Sequence, residues 1–259
     1  MYATERRELI EQALLADARV AVADLAERLG VTTETVRRDL AVLEEAGVLR
    51  RVHGGAVPAD RGSLAETDLR ERVGRHGVAK RRIAQRALDA LPSGFTGSVL
   101  IDAGTTTAAL ADLLPARFGG ARVEVVTHSV AIAAALSASE GVALSAIGGR
   151  VRGVTGAAVG ARTVEAISSL RPEIAFVGVN GLSAAFGAST PDPDEADVKG
   201  AIVRAARRVV VLADASKFGE ESLQRFARLD QLDVLVTDRA PDAALAAALE
   251  DAGTEVWVA

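Results

Sequence analysis

Hydroxyl and guanidinium side chains cluster near position 35, and such groups hydrogen-bond to base edges and phosphates of duplex DNA. The cluster comprises Thr33, Thr35, Arg37 and Arg38. Val36, Leu40 and Leu43 recur at i, i+4 and i+7, which predicts a helix with one buried apolar stripe. The polar cluster must then face away from the core at the N-terminal end of the helix, as in the recognition helix of a helix-turn-helix.

The segments on either side of this helix favour the same interpretation. Gly30 suits the left-handed conformation that ends a helix, and Thr32 is a good N-cap for the next one. After Gly47, residues 48–57 are typical of two short strands around a Gly-Gly turn. This basic hairpin, or wing, carries three side chains that can lie along phosphates, namely Arg50, Arg51 and His53.

The sequence therefore predicts a winged helix-turn-helix over residues 1–57 that binds double-stranded DNA. A small helical subdomain whose arginines are merely solvated is the alternative. The net charge of −5 does not exclude DNA binding. Screening limits surface charges to about 8 Å at physiological salt, so the charge of the DNA-facing surface decides.

Composition limits the class of protein. A chain of 259 residues with 49% hydrophobic residues suggests about two domains with ample cores. Cysteine is absent and the three histidines are scattered, so we predict no disulfide, no metal site and no cofactor. No stretch approaches the roughly 18 apolar residues of a membrane span, and the N-terminus lacks a signal-peptide core. We therefore expect a soluble, cytoplasmic protein.

Strand and helix patterns alternate from residue 98 onward, which predicts an α/β domain with a Rossmann-like, mostly parallel sheet. Turn-forming and charged residues predict a linker over 58–76. The second domain then spans 77–259 and opens with a helix near 78–91. Strands are predicted at 99–102, 123–126, 142–147, 174–179, 208–213, 234–237 and 255–258, and helices at 108–114 and 130–137.

Polar loops follow the first five of these strands. Ligands bind beyond the carboxyl ends of parallel strands, so the loops should converge on one crevice. In the loop 102–107, Gly104 allows close backbone approach, and the next helix N-terminus favours an anion such as phosphate. A threonine-rich helix cap is the structural alternative. The candidate ligand-binding residues in the loops are Asp102, Gly104, Thr105, Thr106, Thr107, Thr127, His128, Gly149, Arg150 and Asn180.

Lysine is rare in this chain, because only Lys80, Lys199 and Lys217 stand against 30 Lys and Arg in total. Such a bias suggests that lysine is kept where a compact ammonium on a flexible stem is needed. Lys217 follows a strand on the crevice side, and a purely solvated role is its alternative. Lys199 lies four residues after Glu195 on a helix, so the two share a face. An ordinary surface ion pair is the alternative there.

The chain resembles the DeoR-type bacterial transcriptional repressors at 33–40, 43–44, Gly47, Arg51 and 53–56. The resemblance implies a winged helix-turn-helix joined to a sugar-phosphate-sensing domain related in fold to phosphosugar isomerases. It also implies a homodimer or homotetramer. Within the family, the chain is most similar to the actinobacterial branch associated with fructose utilisation, which implies fructose 1-phosphate as the effector.

The resemblance extends through the second domain. The matching positions are 102–107, Thr127, 148–149, 180–181, Glu195, Lys199, Asp214 and 216–217. His128 stands where asparagine is commoner, and Ala79 where glutamate is frequent. Residues at four further positions differ in size or polarity from those expected, namely Gly156, Val179, Phe186 and Ala188. These departures leave the identity of the effector open.

Two functions remain compatible with the sequence. One is a repressor of a sugar-utilisation operon, controlled by a phosphorylated sugar. The other is a phosphosugar isomerase with a fused DNA-binding module, which needs a carboxylate base and a polarising cation. Asp102, Glu195, Lys199 and Lys217 could nominally supply them. Because Asp102 lies in the phosphate loop and the fold supports binding without turnover, we expect a non-enzymatic repressor without catalytic residues.

Overall fold

A computed structural model describes residues 2–17, 20–52, 54–58, 76–118 and 122–259. The chain divides into two compact units, within 1–62 and within 63–259. Most of the predicted linker, 58–76, lies outside the described residues, so its extent stays a prediction. In the described ranges, no helix has the length and apolar character of a membrane span.

The first unit packs three helices against a small antiparallel sheet. They are α1 (Ala3–Asp17), α2 (Val22–Leu29) and α3 (Thr33–Glu45), with strands β1 (Val20–Ala21), β2 (Leu49–Val52) and β3 (Gly55–Pro58) in the order β1-β3-β2. Gly30 is left-handed at φ 64° and ends α2, and the Thr35 amide donates to Thr32 Oγ1 at 3.2 Å to cap α3. Val36, Leu40 and Leu43 are buried as predicted.

Two elements of this unit escape the sequence analysis, α1 and β1. Ile10, Ala13 and Leu14 of α1 lie in the same core as the α3 stripe, and their i, i+3, i+4 spacing is the signal that identifies the helix. Strand β1 pairs with β3 so closely that a Cβ on Gly55 would lie 2.0 Å from the Val20 carbonyl oxygen. Glycine at position 55 is therefore required for the close approach of β1, in addition to its role in the wing turn.

The second unit is an α/β domain built on a seven-stranded sheet, as predicted. Its strands are β4 (Ser98–Ile101), β5 (Val123–Thr127), β6 (Val142–Ala146), β7 (Arg150–Arg152), β8 (Ala157–Val159), β9 (Ile174–Gly178), β10 (Gly181–Ser183), β11 (Gly187–Thr190), β12 (Arg208–Leu212), β13 (Gln224–Ala227), β14 (Val234–Thr237) and β15 (Glu255–Val258). The central sheet is wholly parallel in the order β15-β14-β12-β9-β4-β5-β6.

Helices cover both faces of this sheet. They are α4 (Gly77–Ala87), α5 (Thr105–Ala111), α6 (Leu114–Phe118), α7 (Val130–Leu136), α8 (Ala161–Ser168), α9 (Pro193–Ala205) and α10 (Ala243–Asp251). On one face, helices α4, α5, α6 and α7 pack against Phe176 and its neighbours. On the other face, helices α8, α9 and α10 pack against Val177 and its neighbours. Alternate residues of β9 thus point to opposite cores, which is the arrangement of a sheet buried on both sides.

Several boundaries differ from the prediction. The helix expected at 108–114 begins at Thr105 and breaks after Ala111, so the three threonines form its first turn. The helix expected at 78–91 ends at Ala87 and continues as a short 3₁₀ turn, Leu88–Ala90. Two antiparallel additions, β7-β8 and β10-β11-β13, are not predicted at all. Their strands are three or four residues long, too short to carry a strong alternating pattern.

The strand order places a topological switch point beside β4. Its neighbour β5 follows it in the chain, whereas β9 on its other side begins after α8. In parallel sheets such a point opens a crevice at the carboxyl edge, between loops that run in opposite directions. The loops after β4, β5, β9 and β12 therefore surround the position where a ligand is expected.

Candidate functional site

The N-terminal part of α3 presents two arginines to solvent. The side chains of Arg37 and Arg38 are 62% and 80% exposed, and each lies within 4 Å of the Glu34 carboxylate, at 3.8 and 3.6 Å. Exposed ion pairs contribute little, with a median near 0–1 kcal/mol, so these pairs can exchange for contacts with DNA. Thr33 is exposed as well, on the same turn. The geometry is therefore compatible with a recognition surface.

Thr35 differs from the other three members of the cluster. It is half-buried, its hydroxyl lies 3.0 Å from the Thr32 hydroxyl, and its amide is the one capped by Thr32. These contacts fix the start of α3. A role for Thr35 in reading bases stays a prediction, and it would require the hydroxyl to change partners.

A buried carboxylate that the sequence analysis overlooked ties α3 to α1. Asp39 is 5% exposed, and its Oδ1 accepts a 3.2 Å hydrogen bond from the Arg6 guanidinium, with Arg7 at 3.7 Å. The pKa of Arg6 is raised by its hydrogen bond to Asp39. Asp39 lies beside the apolar stripe, so it holds the recognition helix in place while Arg37 and Arg38 face outward.

The wing is fastened to the end of α3. The Arg51 amide donates to Glu44 Oε1 at 2.8 Å, and the Arg51 guanidinium pairs with the other oxygen of that carboxylate. Arg51 stays 49% exposed, so one guanidinium both anchors the wing and faces solvent. The predicted contacts of His53 and of the Arg50 side chain lie outside the described residues.

A buried ion pair lies at the switch point of the second unit. Asp102, at the end of β4, is fully buried and pairs with Lys199 of α9, which is only 4% exposed. Asp102 Oδ2 also accepts from the Gly178 amide at 2.9 Å, and Lys199 Nζ donates to the Gly178 carbonyl at 2.9 Å. Asp102 and Lys199 thus tie β4, β9 and α9 together at the carboxyl edge of the sheet.

His128 lies on the other side of the same carboxylate. Its Nε2 is 3.0 Å from Asp102 Oδ1, and its Nδ1 is 2.8 Å from the Ala158 carbonyl oxygen. Burial alone would raise the pKa of Asp102, but Lys199 and His128 outweigh it and the pKa is lowered. Asp102 is therefore negatively charged, and it lies between the Lys199 ammonium and the His128 ring.

Glu195 does not pair with Lys199, so the alternative of an ordinary surface pair is wrong. Both residues are buried, and Glu195 Oε1 instead accepts from Arg152 at 2.6 Å and from Thr155 at 2.5 Å. Arg152 also reaches Asp192 at 3.2 Å. These contacts hold the β7-β8 hairpin against the start of α9. Arg152 and Thr155 were not singled out from the sequence, because their partners are about 40 residues away.

The threonines of the 102–107 loop divide into two groups. Thr107 donates to the Gly104 carbonyl at 3.0 Å, so its hydroxyl is used within the turn. The hydroxyls of Thr105 and Thr106 make no hydrogen bond with the residues that the structure describes. Thr127 is likewise occupied, donating to the Ile101 carbonyl at 2.7 Å. A ligand-binding role for the hydroxyls of Thr105 and Thr106 stays a prediction, and Thr106 is 9% exposed.

A second buried carboxylate, Asp214, follows β12. It accepts hydrogen bonds from the amide and the hydroxyl of Ser216. Burial would raise the pKa of Asp214, but Lys217, His76 and Lys80 contribute positive potential and the pKa is lowered. Each of the three lysines of the chain therefore lowers the pKa of one of the two buried aspartates at this edge. Lys217 is half-exposed, and within the described ranges its Nζ makes no hydrogen bond or ion pair.

The remaining candidates lie around this edge. Asn180 accepts from the Thr190 hydroxyl at 3.1 Å. Arg150 is exposed and pairs with Asp194 at the start of α9. A Cβ on Gly149 would lie 2.1 Å from Thr163 Oγ1, so this glycine allows α8 to approach, next to a cavity of about 600 Å³. In the described part of the chain, no three His, Asp or Glu side chains are placed to hold a metal ion.

Comparison with known proteins assigns both units. The model of the DeoR-like helix-turn-helix domain matches residues 6–61, and that of the DeoR C terminal sensor domain matches 75–239. An uncharacterised HTH-type transcriptional regulator FruR of Bacillus subtilis is 35% identical, with 92% of each chain covered. The glycerol-3-phosphate regulon repressor of Escherichia coli K12 is 29% identical, with 97% of each chain covered.

Among solved structures, ribose 5 phosphate isomerase A from Neisseria gonorrhoeae matches with 16% identity and a TM-score of 0.39. The match covers 56% of this chain and 54% of that one. This likeness carries no argument about activity. The relatives do not single out an actinobacterial branch, which stays a prediction.

Proposed function

Because the chain belongs to the DeoR family of transcriptional regulators, we propose that it represses a sugar-utilisation operon and that a phosphorylated sugar controls its affinity for the operator. The effector binds at the carboxyl edge of the parallel sheet, and fructose 1-phosphate is the first candidate. One observation carries the proposal: every lysine of the chain contributes positive potential to one of two buried aspartates at this edge.

The arrangement of polar groups suits a phosphate ester. Lys217 offers a free ammonium after β12, and Thr105 and Thr106 offer hydroxyls and first-turn amides after β4. Only β9 separates these two strands, and strands lie about 4.8 Å apart, so the ends of β4 and β12 are about 10 Å apart. A small phosphate ester between the two loops can therefore lie against donors from both.

The alternative of a fused isomerase is not favoured. Relatives are named as transcriptional regulators or repressors. The two carboxylates considered as bases are also engaged, since Asp102 is held by Lys199 and the Gly178 amide, and Glu195 by Arg152. A general base needs a free oxygen within reach of the substrate proton. We therefore assign these carboxylates to holding the site.

A ligand screen tests the proposed effector. Fructose 1-phosphate, glycerol 3-phosphate, tagatose phosphates and galactitol phosphates are each added to the full chain, and the melting temperature is measured. At a hundred times Kd, a ligand specific for the folded state adds about 2.7 kcal/mol of stability, which is readily detected. Operator binding is then compared with and without the hit. A chain that binds its operator but responds to no sugar phosphate would contradict the proposal.

The exposed arginines of α3 should read the operator. We expect Arg37→Ala or Arg38→Ala to lose about 1–3 kcal/mol of discrimination at one base pair, because guanidiniums make bidentate contacts with guanine. Arg51→Ala should instead weaken binding to all sequences and reduce the salt slope. Affinities for operator variants over a range of salt concentrations measure both effects.

The contact between Arg51 and Glu44 provides a matched control. Glu44→Ala removes the ion pair that holds the wing to α3 and leaves the Arg51 charge in place. If Arg51 contacts phosphate, Glu44→Ala keeps the salt slope of the wild type and Arg51→Ala lowers it. If Arg51 only positions the wing, Glu44→Ala and Arg51→Ala weaken DNA binding to the same extent. Unchanged operator preference in both Arg37→Ala and Arg38→Ala would contradict the proposed docking.

We also infer that the protein acts as a homodimer or homotetramer. A single helix-turn-helix reads one half-site, and dimers bind paired half-sites about one helical turn apart. Sedimentation analysis of the full chain, with and without operator DNA, checks this, and a monomer bound singly to its operator would contradict it.

A further inference from the structure

The Nε2 atom of His128 has two neighbours that require opposite protonation states. The Ala103 amide approaches it at 3.2 Å as a hydrogen-bond donor, and Asp102 Oδ1 lies at 3.0 Å as an acceptor. The other ring nitrogen faces only the Ala158 carbonyl oxygen, so Nδ1 carries a proton in either state. Protonation of Nε2 therefore decides which of its two neighbours is satisfied.

The two states present different surfaces to a ligand. With Nε2 unprotonated, it accepts from the Ala103 amide, and the hydrogen bond by which His128 helps to lower the pKa of Asp102 is absent. With Nε2 protonated, it donates to Asp102, and the Ala103 amide is released. That amide lies two residues before Thr105, the first residue of α5, where Thr105 and Thr106 already offer donors. The protonated state thus leaves the Ala103 amide without its histidine acceptor, close in sequence to the proposed phosphate site.

The charge of the cluster changes in the same direction. Asp102 faces His128 from the end of β4, and Lys199 of α9 lies on the far side of that carboxylate. The other charges on β7 and at the start of α9 are bonded to one another, Arg152 to Asp192 and Glu195, and Arg150 to Asp194. Helices α5 and α7 contain no charged residue. Protonation therefore takes the cluster from neutral to one net positive charge.

We propose that His128 is a positioning residue that makes the crevice selective for an anionic effector by taking up a proton when the effector binds. This inference rests on the proposed function. His128 is only 3% exposed and both ring nitrogens are engaged, so it acts through Asp102 and the Ala103 amide rather than by touching the ligand. The proton comes from the solvent onto Nε2 and remains there while the effector is bound.

Calorimetry of the full chain measures the proton directly. Fructose 1-phosphate is the first probe, followed by whichever sugar phosphate gives the largest shift in the screen. Titrations at pH 7.5 in buffers of different ionisation enthalpy give the number of protons taken up. The affinity is also measured from pH 7 to 8.5, above the range near pH 6 where a phosphate ester itself gains a proton.

The matched variant is His128→Gln, whose amide reaches the same position but does not titrate. We expect wild-type affinity to fall by up to about tenfold per pH unit, the limit for one proton, and proton uptake to be smaller in the variant. Equal uptake in both proteins, with the effector bound by both, overturns the role of His128 alone. Binding of no sugar phosphate by the wild type overturns this inference together with the proposed function.

A second measurement does not depend on the variant folding. The chain has three histidines, so the ring nitrogens of His128 can be followed by NMR in the ligand-free wild type. We expect a neutral ring protonated at Nδ1 at high pH, and a shift of the Ala103 amide as Nε2 is protonated. A ring that stays in one state across the pH range, with or without the effector, overturns the proposal.

Discussion

Replacing Lys199 with methionine is expected to lower the free energy of unfolding of the second unit by about 3–5 kcal/mol. The substitution keeps most of the side-chain volume and removes the charge that faces Asp102. Asp102 is fully buried, and removing Lys199 takes away the largest contribution that offsets the burial of its charge. Denaturant unfolding followed by circular dichroism of the full chain measures the loss.

Two controls separate charge from packing. Lys217→Met makes the same chemical change at a half-exposed lysine, and it should cost less because His76, Lys80 and Ser216 still offset the burial of Asp214. Adding Asp102→Asn to Lys199→Met removes both charges, so part of the lost stability should return. A Lys199→Met variant as stable as Lys217→Met would show that the pair does not hold β4 and α9 together.

Local patterns predict most of this fold because they depend on neighbouring residues. The stripe of Val36 and Leu40, the cap at Thr32 and the parallel strands all follow from spacing within a few residues. The boundaries at 108–114 were wrong because three threonines were interpreted as a loop, although the chain enters the helix at Thr105. Local propensity does not show where a loop ends.

The sequence predicts which polar residues are candidates for the site, but it does not predict which of them pair with one another. The spacing of Glu195 and Lys199 predicted a shared face, yet the partner of Lys199 is Asp102, 97 residues away. Residue type makes Thr127 a candidate for ligand binding, but it does not show that the Thr127 hydroxyl donates to the Ile101 carbonyl. Which polar groups satisfy one another depends on how strands and helices meet in three dimensions, and sequence spacing does not specify that.

Lys217→Ala is expected to weaken effector binding by about 1.5–3 kcal/mol, or tenfold or more, because it removes one charge-assisted contact with the phosphate. The fold should survive, since Asp214 keeps the hydrogen bonds from Ser216. Operator binding without effector should also be unchanged, which would leave a repressor that no longer responds to its inducer. Calorimetry with the best sugar phosphate and operator binding with and without it measure both properties.

Arg122 provides the control for charge alone. It is exposed just before β5, at the amino edge of the sheet, so Arg122→Ala removes the same charge on the side away from the crevice. Screening limits such a remote effect to about 8 Å, so its effector affinity should match the wild type. If Lys217→Ala also keeps wild-type affinity, Lys217 lies outside the pocket. The phosphate would then have to be held by the first turn of α5 without a lysine.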